Sequence, residues 1–188
     1  MRVGVIAIQG DFGKHRETLD RTRTKGLEIV EVRTPEDLKT VDRAILPGGE
    51  STTVGMLMDR YGLGEALKEA GTKGMPLWGT CMGMIVLSTE IEDRQQYTLS
   101  LLDITVRRNA FGTQVHSFED EVSVRDLEEP VTGVFIRAPI VTRVGPSAEV
   151  LSEYQGKIVA VKQGVIVGTS FHPELTDDLQ MHKWFLTL

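Results

Sequence analysis

Short apolar runs alternate along the first half of the chain with longer stretches of mixed polar character. Residues 3–8 (VGVIAI) are apolar and stop at Gly10, and a polar stretch over residues 14–25 reads as a helix. Residues 27–32 return to a strand pattern. Thr34 and Pro35 supply an N-cap and a proline suited to the first helical position, so residues 36–41 are predicted as a short helix. Residues 43–46 form another strand that ends on Pro47-Gly48-Gly49. Residues 52–61 and 63–70 read as helices, 75–78 as a strand, and 82–89 as a helix. Strand and helix in repeated alternation predict a parallel sheet with helices on both faces.

Beyond about residue 101 the pattern changes. Residues 104–106, 131–137, 150–154, 157–161 and 165–170 are strand-like and separated by turns, so antiparallel strands are expected here. Residues 177–186 read as a closing helix. The expected architecture is a single α/β domain over residues 1–188, a three-layer sandwich with a mostly parallel central sheet and some antiparallel strands.

The size fits this, since 188 residues make one domain rather than two. The net charge of -6 speaks against a binder of nucleic-acid phosphates, although Arg107 and Arg108 leave room for a local basic patch. No apolar run approaches the ~18 residues of a membrane span, and residues 1–8 do not read as a signal peptide. The single cysteine, Cys81, excludes an intrachain disulfide and fits a reducing compartment, so a cytoplasmic location is expected.

Cys81 carries the first chemical signal. Gly79-Thr80-Cys81-Met82-Gly83 stands between an apolar strand and a helix pattern, the arrangement of a nucleophile elbow with Cys in place of Ser. Flanking glycines leave room for a sharp turn, and the N-terminus of the next helix favours a thiolate. A buried, inert cysteine beside two glycines is the competing reading.

A cysteine nucleophile needs a base, and the base needs a third group to orient it. Among four histidines, His15 lies in a polar helical stretch and is expected to face solvent. His182 falls on the terminal helix, and His116 in an extended region. His172 ends a strand and precedes Pro173, which favours extended geometry. In extended chain, Glu174 would share its face and could hold the imidazole in one tautomer. A chance H-x-E in a turn is the alternative.

The third signal is Pro47-Gly48-Gly49-Glu50-Ser51, where a strand ends in a loop whose backbone amides can approach a ligand. Gly48 or Gly49, with the amide of Met82, could form an oxyanion hole. The loop lacks the G-K-[ST] ending of a phosphate-binding P-loop. An ordinary tight turn remains open.

Taken in order, L-P-G-G-E-S (46–51), G-T-C-x-G (79–83) and S-F-H-P-E-L (170–175) resemble the triad glutamine amidotransferases. Residues 4–10 (GVIAIQG), 102–112 (LDITVRRNAFG), 135–139 (FIRAP) and 171–176 (FHPELT) are similar to one branch, the glutaminase subunits of pyridoxal 5'-phosphate synthases. That resemblance implies a Cys81–His172–Glu174 triad that hydrolyses L-glutamine to glutamate and ammonia through a γ-glutamyl thioester. It implies that Gly48, Gly49, Glu50, Arg108, Ile136 and Arg137 bind glutamine, whose α-carboxylate and α-ammonium call for groups of opposite charge.

The resemblance further implies no metal and no cofactor. It implies a (β/α)8 synthase subunit as partner in a large hetero-oligomer, and weak activity before docking. A peptide flip at Gly48-Gly49 is a candidate for the activating step. Rival readings are the glutaminase of another pathway, such as histidine synthesis, a γ-glutamyl or cysteine peptidase, and a non-catalytic binding subunit. Three positions depart from the family pattern: Met82 where alanine is usual, and Thr113 and His116 where Arg and Asp are expected.

Overall fold

The structure is a computed structural model that describes residues 1–92, 95–111 and 117–188, with the backbone alone at residues 51 and 52. Thr113 and His116 therefore lie outside the described residues. Among the described residues, six helices and twelve strands run in the order β1 Arg2–Ile6, α1 Phe12–Arg21, β2 Glu28–Val32, α2 Pro35–Leu38, β3 Arg43–Leu46, α3 Ser51–Arg60, α4 Leu63–Thr72, β4 Leu77–Thr80 and α5 Met82–Leu87. Then come β5 Ser88–Ile91, β6 Leu102–Arg107, β7 Phe118–Val122, β8 Val131–Phe135, β9 Ile140–Val144, β10 Glu149–Tyr154, β11 Lys157–Gln163, β12 Ile166–Thr169, a 3-10 turn Pro173–Leu175, and α6 Gln180–Phe185.

Ten strands form one sheet in the order β2-β1-β3-β4-β12-β11-β9-β6-β5, with β10 on the side of β11. Its first five strands are all parallel. From β12 through β11 and β9 to β6 the pairings are antiparallel, and β5 pairs parallel to β6. Strands β7 and β8 make a separate antiparallel ribbon.

Side chains alternate across the parallel strands. Ile6, Ala44, Leu46 and Leu77 point to the face covered by α2–α5. Val3, Val5, Ile45, Trp78 and Val167 point to the other, where Leu19 of α1, Met181 and Phe185 of α6 and the ribbon pack. This is the expected three-layer arrangement. The short helix expected at 36–41 forms as α2 over Pro35–Leu38. Thr34 and Asp37 make a reciprocal capping box, and Pro35 stands at the helix start.

Several boundaries differ from the sequence expectation. The strand expected at 75–78 runs Leu77–Thr80, because pairing with β12 from Leu77↔Ile166 to Thr80↔Thr169 carries extended backbone through Gly79. The helix expected at 82–89 stops at Leu87, and Ser88 begins β5 against Leu102. The helix expected at 14–25 covers Phe12–Arg21, and the closing helix is shorter than 177–186. Strand β8 ends at Phe135, so Ile136 and Arg137 belong to the loop that follows.

Candidate active site

The sequence separates Cys81 from His172 by most of the chain, and strand pairing brings them back. Thr80 and Thr169 are register partners in adjacent parallel strands. The residues that follow them therefore emerge at the same sheet edge, the carboxyl end of a parallel sheet where α/β folds place their ligands.

Cys81 is the single residue between β4 and α5. Its backbone sits at φ 50° and ψ -102°, a strained conformation for a residue with a Cβ, costing roughly 1–3 kcal/mol. Its N–H donates to the Thr169 carbonyl at 2.6 Å. The neighbouring glycines are required by close packing. A Cβ on Gly79 would strike the Gly83 backbone, and one on Gly83 would strike the Leu46 carbonyl oxygen of β3. Helix α5 can thus lie directly on the strand ends. Its first N–H groups, those of Met82, Gly83 and Met84, precede the first intrahelical bond, Ile85 N–H to Cys81 carbonyl.

His172 Nδ1 and Glu174 Oε1 lie 2.7 Å apart. The shared face does not come from extended chain, as the sequence reading had it. Pro173 starts a 3-10 turn, and that turn folds the carboxylate back onto the ring. The His172 N–H donates to the Val134 carbonyl at 2.8 Å, tying the turn to β8. Burial alone would lower the pKa of His172. Interactions with Cys81 and Glu174 overcome that and raise it to about 10.

Gly48 and Gly49 follow β3 and face the same edge. A Cβ on Gly48 would enter the His172 ring, and one on Gly10 would strike the Gly48 carbonyl. Glu50 accepts from the N–H and hydroxyl of Thr53 at 2.7 and 2.8 Å, capping α3. Its other oxygen stands 3.8 Å from Arg108. Arg108 also donates to Gln96. The Ile136 carbonyl accepts from the Cys81 thiol at 3.9 Å, and Arg137 adopts φ 46° next to it. Cys81, Met82, His172, Gly48, Gly49, Glu50, Arg108, Ile136 and Arg137 line one cleft of about 540 Å³. Glu174 lies outside its lining, behind His172.

Known proteins extend the picture. The SNO glutamine amidotransferase family matches residues 5–188. The chain belongs to this family. Two similar proteins are both named pyridoxal 5'-phosphate synthase subunit PdxT. The one from Niallia circulans is 47% identical over 188 residues, spanning 100% of this chain and 97% of that protein. The one from Carboxydothermus hydrogenoformans is 47% identical over 187 residues, spanning 99% and 96%. A crystal structure of a glutamine amidotransferase, 44% identical, superposes with a TM-score of 0.92 over 98% of this chain and 97% of that one. PurLQS from Thermotoga maritima, at 17% identity and a TM-score of 0.68, shares the fold alone.

In this member of the SNO family, the sequence reading of His15 needs correction. Far from facing solvent, His15 is fully buried. Its Nε2 lies 3.1 Å from Thr80 Oγ1 and 3.4 Å from Glu174 Oε1, and its Nδ1 lies 3.0 Å from His182 Nε2. Burial would raise the Glu174 pKa, but His15 and His172 together drive it well below the usual carboxylate range. His182 is also buried, which pushes its pKa down to about 3. The signal for His15 was its spacing, because His15, Thr18 and Leu19 share one helical face.

Gly10, Asp11, Asn109 and Leu175 also line the cleft, though the sequence reading assigned them no role. Met82 is 3% exposed, joining the core as well as the cleft wall. At the expected basic patch, Arg107 pairs with Glu92 at 2.7 Å and Arg108 faces Glu50. Among the described residues no cluster of His, Cys, Asp and Glu could hold a metal ion, and no helix is long and apolar enough to cross a membrane.

Proposed function

We propose that this glutamine amidotransferase hydrolyses L-glutamine through a Cys81–His172–Glu174 triad and delivers the ammonia to a pyridoxal 5'-phosphate synthase subunit. The observation that carries the reading is a cysteine on a strained elbow sharing a cleft with an imidazole whose Nδ1 is engaged by a buried carboxylate. Engagement of Nδ1 leaves Nε2 as the nitrogen for proton transfer, the division of labour of a catalytic triad.

The chemistry runs in two halves. The Cys81 thiolate attacks the carboxamide carbon of glutamine, and the carbonyl oxygen takes the negative charge. Backbone N–H groups of Met82 and of Gly48 or Gly49 receive that charge. His172 gives its proton to the departing nitrogen. Ammonia leaves, and a γ-glutamyl thioester remains on Cys81. His172 then takes a proton from water, hydroxide adds to the thioester, and glutamate and the thiolate are released. Arg108 and Arg137 suit the α-carboxylate of the substrate, and Glu50 suits its α-ammonium.

Ammonia released to bulk water is protonated and lost as a nucleophile, which favours hydrolysis only beside an acceptor enzyme. The PdxT names of the relatives supply the acceptor, and the resemblance supplies its (β/α)8 form, the hetero-oligomer and a cytoplasmic setting. We read residues 1–188 as one glutaminase domain. The test is glutamate release from glutamine, with and without the synthase subunit. Release that rises with the subunit and vanishes in Cys81→Ala is expected. Equal release by Cys81→Ala, or preference for a γ-glutamyl peptide, would overturn the reading.

A further inference from the structure

Behind the triad lies a second set of buried polar groups that the proposed reaction does not use. His15 comes from α1, Thr80 from the end of β4 and His182 from α6. None of the three is more than 0% exposed. Thr80 and His182 both contact His15, and His15 in turn reaches Glu174, whose Oε1 is approached from one side by His172 Nδ1 at 2.7 Å and from the other by His15 Nε2 at 3.4 Å. The second oxygen, Oε2, is buried without a hydrogen-bond partner. The His172 hydrogen bond and the approach of His15 thus both fall on one oxygen of this carboxylate.

Proton accounting fixes how the histidines are arranged. The short His15–His182 contact joins Nδ1 to Nε2, so one nitrogen donates and the other accepts. His182 Nδ1 is buried with no partner. Orphaned N–H groups are rarer in folded proteins than unsatisfied acceptors. That places the His182 proton on Nε2, donating to His15 Nδ1. The His15 proton then sits on Nε2, facing Thr80 Oγ1 and Glu174 Oε1. Trp78 packs edge-on against both rings, at 5.7 Å from His15 and 4.9 Å from His182, and holds the pair in place.

Resting on the glutaminase reading above, we propose that His15 is a positioning residue of the reaction: its Nε2–H, set by His182, holds the Glu174 carboxylate in the orientation that steers His172. A second donor on Oε1 keeps a carboxylate bonded through a single oxygen from turning away, and it favours the ionised form. Thr18 supports the same geometry from α1, its hydroxyl donating to the Glu174 carbonyl at 3.4 Å. Other charged groups around Glu174 are Lys14, Glu17 and Arg21 of α1, Glu119 of β7, and Asp177 and Asp178. Lys14 pairs with Glu17 and Arg21 with Asp177. Among the described residues, His15 is the donor in direct reach of the carboxylate on that side.

Two measurements decide this. Long-range proton–nitrogen NMR of the wild-type imidazoles reads where the His15 proton resides. Nε2 protonated is expected, and a bare Nε2 overturns the proposal without any substitution. Steady-state glutamine hydrolysis with the synthase subunit present then compares His15→Leu with His15→Gln. Leucine fills the space without a donor. It should lower kcat on the order of tenfold or more, a fraction of what acid–base catalysis contributes, with KM within about twofold. The acid limb of its pH profile should move to higher pH, because Glu174 loses a group that favours its anion. Glutamine places an N–H near the former Nε2 and should restore both kcat and the acid limb. Wild-type kcat and an unmoved acid limb in His15→Leu overturn the proposal. Failure of the glutaminase reading looks different: wild-type protein releases no glutamate although His15 Nε2 is protonated.

Discussion

A methyl group on Gly48 would enter the imidazole ring of His172, and the ring has little freedom to yield because Glu174 holds its Nδ1. Gly48→Ala should therefore displace the His172 ring and lower kcat for glutamine hydrolysis at least tenfold. A variant of normal turnover would show that the loop and the ring are not in contact during catalysis. The titration of His172 gives a second expectation. Its folded pKa, about 10, stands above the ordinary 6.5. The folded state thus holds a proton that the unfolded chain releases, so this contribution to stability is complete below about pH 6.5 and is lost as pH rises toward 10. Urea unfolding of wild type and His172→Asn should show a stability gap that narrows between pH 7 and 10. A gap that widens over that range contradicts the ion-pair description.

At the scale of elements, Glu50 has two duties. One oxygen caps α3 through Thr53, and the other faces Arg108 in the cleft. Glu50→Ala should cost about 1 kcal/mol of stability from the cap and raise KM for glutamine. Glu50→Gln should keep much of the cap and still raise KM, which urea unfolding and steady-state kinetics can separate. Gly83→Ala belongs to the same scale. Its methyl meets the Leu46 carbonyl, so α5 must lift from β3, with an expected loss of about 1–3 kcal/mol.

Much of this layout was legible in the sequence. Apolar runs and turn residues located β1 to β4, Thr34 and Pro35 located α2, and G-x-C-x-G located the elbow. What escaped has physical reasons. β7 reads FEDEV, with its three middle residues exposed, so pairing with β8 rather than apolar content makes it a strand. β5 is four residues taken over from the end of a helical pattern by pairing with β6. His15 departs from its expectation because α1, whose polar pattern predicts a solvated face, buries His15 and Thr18. Hydrogen bonds to Thr80 and His182 make that burial tolerable, and partners so distant in sequence leave no local trace.

For the whole molecule, the parallel order β1-β3-β4-β12 gathers Gly10, Gly48, Cys81 and His172 at one sheet edge from four separate stretches of chain. The second layer, α1 and α6, reaches the same place from below through His15 and His182. On the proposed function, chemistry and docking should be separable. Cys81→Ala should abolish hydrolysis and still co-elute with the synthase subunit in gel filtration, since the thiol is buried in the cleft. Loss of co-elution would mean that the elbow belongs to the interface. The central claim is that glutamine is opened by covalent attack of Cys81. Rapid acid quench of the wild-type protein turning over glutamine beside the synthase subunit, followed by mass spectrometry of its peptides, tests it most directly. A γ-glutamyl mass gain confined to the Cys81 peptide, absent in Cys81→Ala, is the predicted result. Ammonia release at full rate with no such gain, undiminished in Cys81→Ala, would contradict it.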